Sequence, residues 1–249
     1  MKKLILLSFL LLSVAGISQT EGLFEEANSA YQQGDYEEAV SKYEEILDNG
    51  QTSAEVYYNL GNAYYKLNKV AQSIFYYEKA LQLKPADEDI QNNIEFARNM
   101  TIDDIEEVEQ TGISHWINGL ISIFGFSTWA ILGISFSVLF VILFLLYYFS
   151  HRPLYKRIHF GASMASIILC ILSVIFSFQQ RSYIENNQYA IIFSEEAEVR
   201  DEPNLRGESS FELHEGTKAR VLEDYQEWSR IELANGAQGW IKTNDLRKL

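Results

Sequence analysis

The sequence predicts a multidomain α + β membrane protein: an α-solenoid of helical repeats, then a transmembrane helical hairpin, then a small all-β barrel. Three observations carry this. Residues 128–149 (TWAILGISFSVLFVILFLLYYF) and 160–178 (FGASMASIILCILSVIFSF) are apolar runs without an ionised side chain. Each is long enough as a helix to cross roughly 30 Å of hydrocarbon while satisfying its own backbone hydrogen bonds. A 34-residue self-similarity precedes them. After Gln180, short strand-like runs alternate with turn signals.

At the N-terminus, Lys2 and Lys3 precede an apolar stretch over 4–14 and then Ala15, Gly16 and Ser18. Residues 1–18 read as a secretory signal peptide cleaved after Ser18. An uncleaved anchor helix is the alternative, and under either reading the next domain is exported. The single cysteine, Cys170, lies inside the second apolar run, so no intramolecular disulfide can form. Its bland reading is a small apolar side chain in a helix.

Residues 19–100 hold the repeats and a capping helix. Shifted by 34, Ala27 falls on Gly61, Tyr31 on Tyr65, Tyr43 on Tyr77 and Leu47 on Leu81. The second copy, AEVYYNLGNAYYKLNKVAQSIFYYEKALQLKP, resembles a tetratricopeptide repeat, with Tyr57, Leu60, Gly61, Tyr64, Ala80 and Pro85 at its signature places. Ala27 and Ser73 depart from that pattern, but both are small. Gly34 suits a left-handed turn. Asp35 with Glu38, and Thr52 with Glu55, read as helix N-termini. Pro85 ends the second repeat. Ile90, Ile94 and Ala97 share one face of a final capping helix.

The resemblance implies that the first helix of each pair lines a concave binding groove. In this sequence those positions are Phe24, Asn28, Tyr31, Tyr58, Asn59, Asn62, Tyr65 and Lys66. Lys66 alone cannot form the paired-cation clamp by which some relatives hold a carboxylate. The aromatic and amide lining suits an extended peptide, and the bland alternative is that several tyrosines simply pack between helices. Residues 20–111 carry 20 acids and six bases, a balance of −14. That surface repels nucleic acid and anionic headgroups and favours basic or neutral partners.

Residues 101–127 read as an acidic linker and interfacial helix. Thr101 is placed to cap a short helix reaching Glu109. Ile113, Trp116, Ile117, Leu120, Ile121 and Phe124 then recur at helical spacing, as in a helix lying along a bilayer surface. A longer, tilted first membrane helix fits the same pattern. Residues 128–149 and 160–178 are the membrane helices, and Gly161/Ala165 or Ala162/Ser166 offer small residues for close packing. The loop 150–159 holds Arg152, Lys156 and Arg157 and no acid. The approach to the first run carries only acids. Positive charge stays cytoplasmic, so the loop lies inside and both flanking domains outside.

Beyond a linker at 179–186, residues 187–249 read as a five- or six-stranded barrel. Its strands are residues 189–193, 197–200, 210–213, 219–223, 228–233 and 239–242. Asn235-Gly236 reads as a hairpin turn, because both positions tolerate positive φ. The segments AEVRDEPN, LHEGTKARVLE and EWSRIELANGAQGWI, with Gly239-Trp240 and the closing Asp245-Leu246, resemble a bacterial SH3 domain. Val199, Val221, Ile231, Ile241 and Leu246 form the expected core of this SH3-like barrel. Tyr225, Trp228 and Trp240 form a candidate aromatic face for a peptide or wall stem peptide, with core packing as the alternative for the tryptophans.

The order of modules, together with AIIFSEEAEVR and LHEGTKARVLE, resembles the E-type proteins of the Bacteroides aerotolerance operon. The resemblance covers nearly the whole mature chain. It implies a Gram-negative inner-membrane protein linked to oxidative-stress tolerance, beside membrane proteins with von Willebrand factor A domains and a MoxR-type ATPase. Two functions follow as expectations. One is a non-enzymatic scaffold or adaptor for envelope proteins. The other is a wall sensor or tether binding peptidoglycan through the barrel. His115, His151, His159 and His214 are scattered, and no nucleophile, base and orienter group together. The sequence also lacks metal-ligand spacing and phosphate-binding glycine loops. Neither an enzyme, a cofactor nor a nucleic-acid partner is therefore expected.

Overall fold

The computed structural model describes residues 22–105, 117 and 119–249. They form two compact units: the helical repeats with the segment after them and the β domain, and separately the two long apolar helices. The signal-peptide reading falls outside the described residues, as do Ile113 and Trp116 of the interfacial-helix reading; residues 117 and 119–121 of that segment are helical.

The first unit opens with α1 (residues 22–33), α2 (Tyr36–Asp48), α3 (Ala54–Lys66), α4 (Val70–Leu83) and α5 (Glu88–Arg98). The 34-residue period is written into its turns. Gly34 (φ 88°) and Asn68 (φ 59°) both adopt the left-handed conformation that glycine and asparagine tolerate best. The N–H of each donates to the carbonyl of Tyr31 or Tyr65, and the next N–H to that of Ala30 or Tyr64. Two helix starts differ from expectation. Asp35 follows the left-handed turn with φ −84°, ψ 68°, and its side chain makes no capping bond. Ser53, not Thr52, is the cap: its backbone is extended and its hydroxyl accepts the Val56 N–H at 3.1 Å.

Small residues let these helices close up. Ala27, Ala39, Ala63, Ala71 and Ala80 are fully buried, interleaved with Tyr43, Ile46, Leu60, Ile74 and Tyr77. A Cβ at Gly61 would lie 2.7 Å from the Tyr77 ring, so this packing needs glycine. Ser73, the departure from the repeat pattern, donates its hydroxyl to the Gly61 carbonyl at 2.9 Å and so carries its buried polar group without cost. Asp87 caps α5, whose Ile90, Ile94 and Ala97 extend the core. Thr101 starts no helix: residues 101–105 are non-helical, and its hydroxyl donates back to the Arg98 carbonyl.

Strands β1 (Tyr189–Ile192), β2 (Glu196–Arg200), β3 (Ser209–His214), β4 (Lys218–Tyr225), β5 (Trp228–Glu232), β6 (Gln238–Lys242) and β7 (Leu246–Lys248) pair antiparallel in the order β3-β2-β6-β5-β4-β1-β7. The seventh strand, beyond the expected six, follows a 3-10 turn and pairs with β1. Leu213 and Leu246, from the two edge strands, share one core with Val199, Val221, Ile231 and Ile241, so the sheet curls around it. Gly239 admits the β2–β6 contact, since a Cβ there would lie 2.4 Å from Val199 Cγ1. Only Gly236 of the Asn235-Gly236 pair has positive φ. Its N–H reaches the Leu233 carbonyl and the Leu233 N–H reaches that of Ala237, a three-residue hairpin loop with a glycine bulge.

The repeats and the β domain share an interface. Ile191 is buried in the repeat core, with Phe193 and Leu249 packed beside it. Phe193 meets Phe75 edge to face at 5.7 Å, and the Arg247 guanidinium lies over both rings. Gly216 is seated so closely that a Cβ would meet Thr101, Ile74 and Val70 at 2.7–3.2 Å. The buried Glu78 carboxylate pairs with Arg98 at 2.8 Å and Lys218 at 2.7 Å. Asp103 accepts from His214 and Thr217, and Ile105 packs on the barrel core.

The second unit is α6 (Phe126–Phe149) and α7 (Pro153–Asn186). Only 6% and 17% of their most apolar windows are buried, whereas a core helix of a soluble protein would be mostly covered. Both are long and apolar enough to cross a membrane. Helix α7 overruns its apolar core: residues 153–159 and 179–186, expected as loop and linker, are helical. Pro153 suits the first turn, and the stretch to Asn186 has no breaker and holds an Arg181–Glu185 pair at 2.8 Å. The helix seam runs through Gly133, where a Cβ would meet Val174 at 3.2 Å, and through Ser163, Ser166 and Ser173, all buried. Ser166 donates to the Phe136 carbonyl and Ser177 to that of Phe126, each at 2.9 Å. The expected Gly161/Ala165 pair is exposed instead.

Candidate functional site: the groove of the repeats

The first helices of the pairs, α1 and α3, with α5 in the third place, carry a hydrogen-bond ladder of period 34. Asn28 Oδ1 accepts the Tyr43 hydroxyl at 2.6 Å and the Asn59 amide at 2.9 Å. One repeat on, Asn62 Oδ1 accepts the Tyr77 hydroxyl at 2.6 Å and the Asn93 amide at 2.8 Å. Asn93 also donates to the Tyr58 hydroxyl at 2.9 Å. Each rung ties a second-helix tyrosine to the first helices of two successive repeats. Burial raises the Tyr43 hydroxyl to about 12 and raises Tyr77 further, so both stay protonated donors across the physiological range.

This assigns the sequence-predicted residues individually. Asn28, Asn59 and Asn62 are half-buried and their ladder bonds are structural, although the side-chain nitrogens of Asn28 and Asn62 take no part in the ladder. Phe24 packs edge to face on Tyr43 at 6.0 Å, and Tyr31 on Tyr36 at 5.2 Å. Tyr58 lies 6.0 Å from Tyr77. Tyr65 is half-buried and Lys66 is exposed. The face therefore offers phenols and amides with one cation at its edge, a neutral hydrogen-bonding surface suited to extended backbone. Two members escape the sequence reading: Asn93, and Phe96, which is 60% exposed. The signal was present, because a 34-residue step from Asn59 and Asn62 lands on them.

The barrel's candidate aromatic face divides. Trp228 is only 7% exposed, buried on the sheet face opposite Ile231 and Ile241. Tyr225 is 53% exposed and meets the half-buried Trp240 edge to face at 6.4 Å. This pair sits at the end of β4 opposite Lys218, roughly 23 Å along the strand from the contact with Glu78. Beside it, Arg200 donates to the carbonyls of Leu205 and Gly207 and pairs with Glu198, which orders the β2–β3 loop. Among the described residues no group of three or more His, Cys, Asp and Glu is placed to hold a metal ion.

Residues 24–88 match the family model of the tetratricopeptide repeat, and residues 194–248 that of the bacterial SH3 domain. Both are non-catalytic interaction modules. No curated protein matches the chain. Among solved structures, an NlpC/P60 family protein from Bacillus cereus ATCC 10987 is similar at 21% identity with a TM-score of 0.22. The likeness covers 28% of this chain and 23% of that one, too little to bear on function.

Proposed function

We propose that this chain is a non-enzymatic inner-membrane scaffold or adaptor whose repeats bind an envelope protein through the groove, with the barrel beside them. The observation that carries this reading is the division of surfaces. The barrel covers the α4 side of the repeats through Phe75, Glu78 and Ile74, while the face bearing Tyr31, Tyr58, Tyr65, Lys66 and Phe96 keeps its half-buried and exposed side chains. The acidic balance of residues 20–111 favours a basic or neutral peptide and disfavours nucleic acid. The basic loop between the apolar helices supports placing both modules in the periplasm. The resemblance to the aerotolerance proteins supports a stress-related complex, with von Willebrand factor A domain membrane proteins or a MoxR-type ATPase system as partners.

The test is in-cell crosslinking and affinity capture of the full-length protein, comparing wild type with Tyr65→Ala/Lys66→Glu. These positions lie outside the ladder, and because the half-buried Tyr65 packs on the repeat core, circular dichroism of the variant verifies that the repeats stay folded. Loss of a specific envelope partner supports the groove; retention of every partner refutes it. A second reading, a peptidoglycan-binding tether, is favoured by the exposed Tyr225 against Trp240. Tyr225→Ala would then abolish co-sedimentation of the protein with purified sacculi.

A further inference from the structure

We propose that the barrel clamps α5, so that barrel docking and the order of the groove's third wall are one conformational equilibrium. The biological consequence rests on the groove reading above; the physical claim does not.

Helix α5 has 11 residues, and isolated helices shorter than ~12–15 residues are marginal in water. As the last helix of a repeat stack it also lacks a following repeat to pack against among the described residues. The barrel supplies what is missing. On one flank Arg98 reaches the buried Glu78 carboxylate, which Lys218 of the barrel also holds. Directly after the helix, Thr101 is notched against Gly216 and Asp103 is held by His214 and Thr217. On the other flank Asn93 reaches Tyr58 and Asn62, and Phe96 stands exposed. One short helix thus carries a groove wall on one side and the barrel's attachments on the other.

Undocking the barrel uncovers Val70, Ile74 and Phe75 and leaves Glu78 with one cation instead of two. It also removes the anchor of the chain after Arg98. The helix then frays from its C-terminal end, and Asn93 leaves the ladder. Linkage makes this reciprocal: whatever fixes Asn93 and Phe96 in the groove favours the docked barrel, and a partner that pulls the barrel away loosens the groove.

The experiment is hydrogen–deuterium exchange of the full-length protein in detergent, which needs no groove ligand. Asp103→Asn and Lys218→Ala are compared with wild type and with Tyr225→Ala at the barrel's far end. The expected result is roughly tenfold faster exchange over residues 88–98 in both interface variants, the factor for losing about one charge-assisted hydrogen bond. Exchange in α1 and α2, and all exchange in Tyr225→Ala, stay at wild-type rates. Faster exchange confined to residues 214–218 overturns the clamp, because the barrel is then released without loosening α5. Unchanged exchange in both regions overturns it too, because those contacts then hold nothing. Failure to capture a partner bears on the groove reading alone and leaves this outcome unaffected.

Discussion

Asp103 and His214 lie 111 residues apart, on either side of both apolar helices, yet the Asp103 carboxylate accepts two hydrogen bonds from His214. One comes from its main-chain N–H and one from Nδ1, each at 2.7 Å, and the Thr217 hydroxyl adds a third at 2.5 Å. The last residues of the repeat module are thereby tied to the turn between β3 and β4. Asp103→Ala leaves the His214 N–H and the Thr217 hydroxyl without this acceptor, and should destabilise the first unit by about 1–3 kcal/mol. Thermal unfolding of the full-length protein measures the loss.

The same contact predicts a pH dependence. Burial alone would raise Asp103, but the three hydrogen bonds outweigh it and hold the carboxyl below its ordinary 3.8. The bond to Asp103 raises His214 above its ordinary 6.5 despite partial desolvation, with Glu196 and Glu212 adding to the effect. The Asp103 contribution is therefore present above the ordinary carboxylate value and is lost as pH falls through the lowered one. The His214 contribution is complete below the ordinary imidazole value and is lost as pH rises through the raised one. Melting temperatures measured across this range should show an alkaline decline that His214→Gln diminishes; an unaltered decline would place its origin elsewhere.

Gly61→Ala should destabilise the repeats by about 1–3 kcal/mol, because its Cβ would enter the ring of Tyr77, which is only 1% exposed and has no room to swing. Ala27 occupies the corresponding place in the first repeat, so the penalty belongs to the second repeat's packing and not to the motif. Urea unfolding with Ala27→Gly as the companion variant separates the two.

In the hairpin, Gly133→Leu should force α6 from α7, since even a Cβ meets Val174 at 3.2 Å and Ser173 at 3.7 Å. Cysteine crosslinking between positions 136 and 166, which are joined by a hydrogen bond in the native seam, should fall sharply in this variant.

Two aromatic substitutions in the barrel should part company. Trp228→Ala removes a buried side chain and should cost about 3–5 kcal/mol, while Tyr225→Ala, at an exposed site, should stay within ~0.5 kcal/mol of wild type. Equal losses in thermal stability would contradict the burial of Trp228.

Periodic features were legible in the sequence, and contacts between distant segments were not. The 34-residue period located the repeat helices, and the resemblance to an SH3-like barrel placed Val199, Val221, Ile231, Ile241 and Leu246 in its core, where all five lie. The ladder was half legible: Asn28, Asn59 and Asn62 stood out, whereas Asn93 and Phe96 lie in a helix that matches the motif poorly. Trp228 could not be told from Trp240 by residue type or by strand alternation, because the β5–β6 register puts both on the face opposite Ile231 and Ile241, and only their surroundings separate them. Asp103 was one acid in a run of five, and nothing local distinguishes the one that meets a histidine. Thr101 reads as a helix cap in isolation, but Asp103 and Ile105 bind the barrel and hold the chain out of a helix.

The most direct test of the central claim is photo-crosslinking in living cells from two positions, Lys66 at the groove and Tyr225 on the barrel, with the products identified by mass spectrometry. The account predicts a discrete envelope-protein adduct from position 66 that disappears when Tyr65 is also replaced by alanine. Adducts arising only from position 225, and only with wall fragments, would contradict it and make the barrel the binding site.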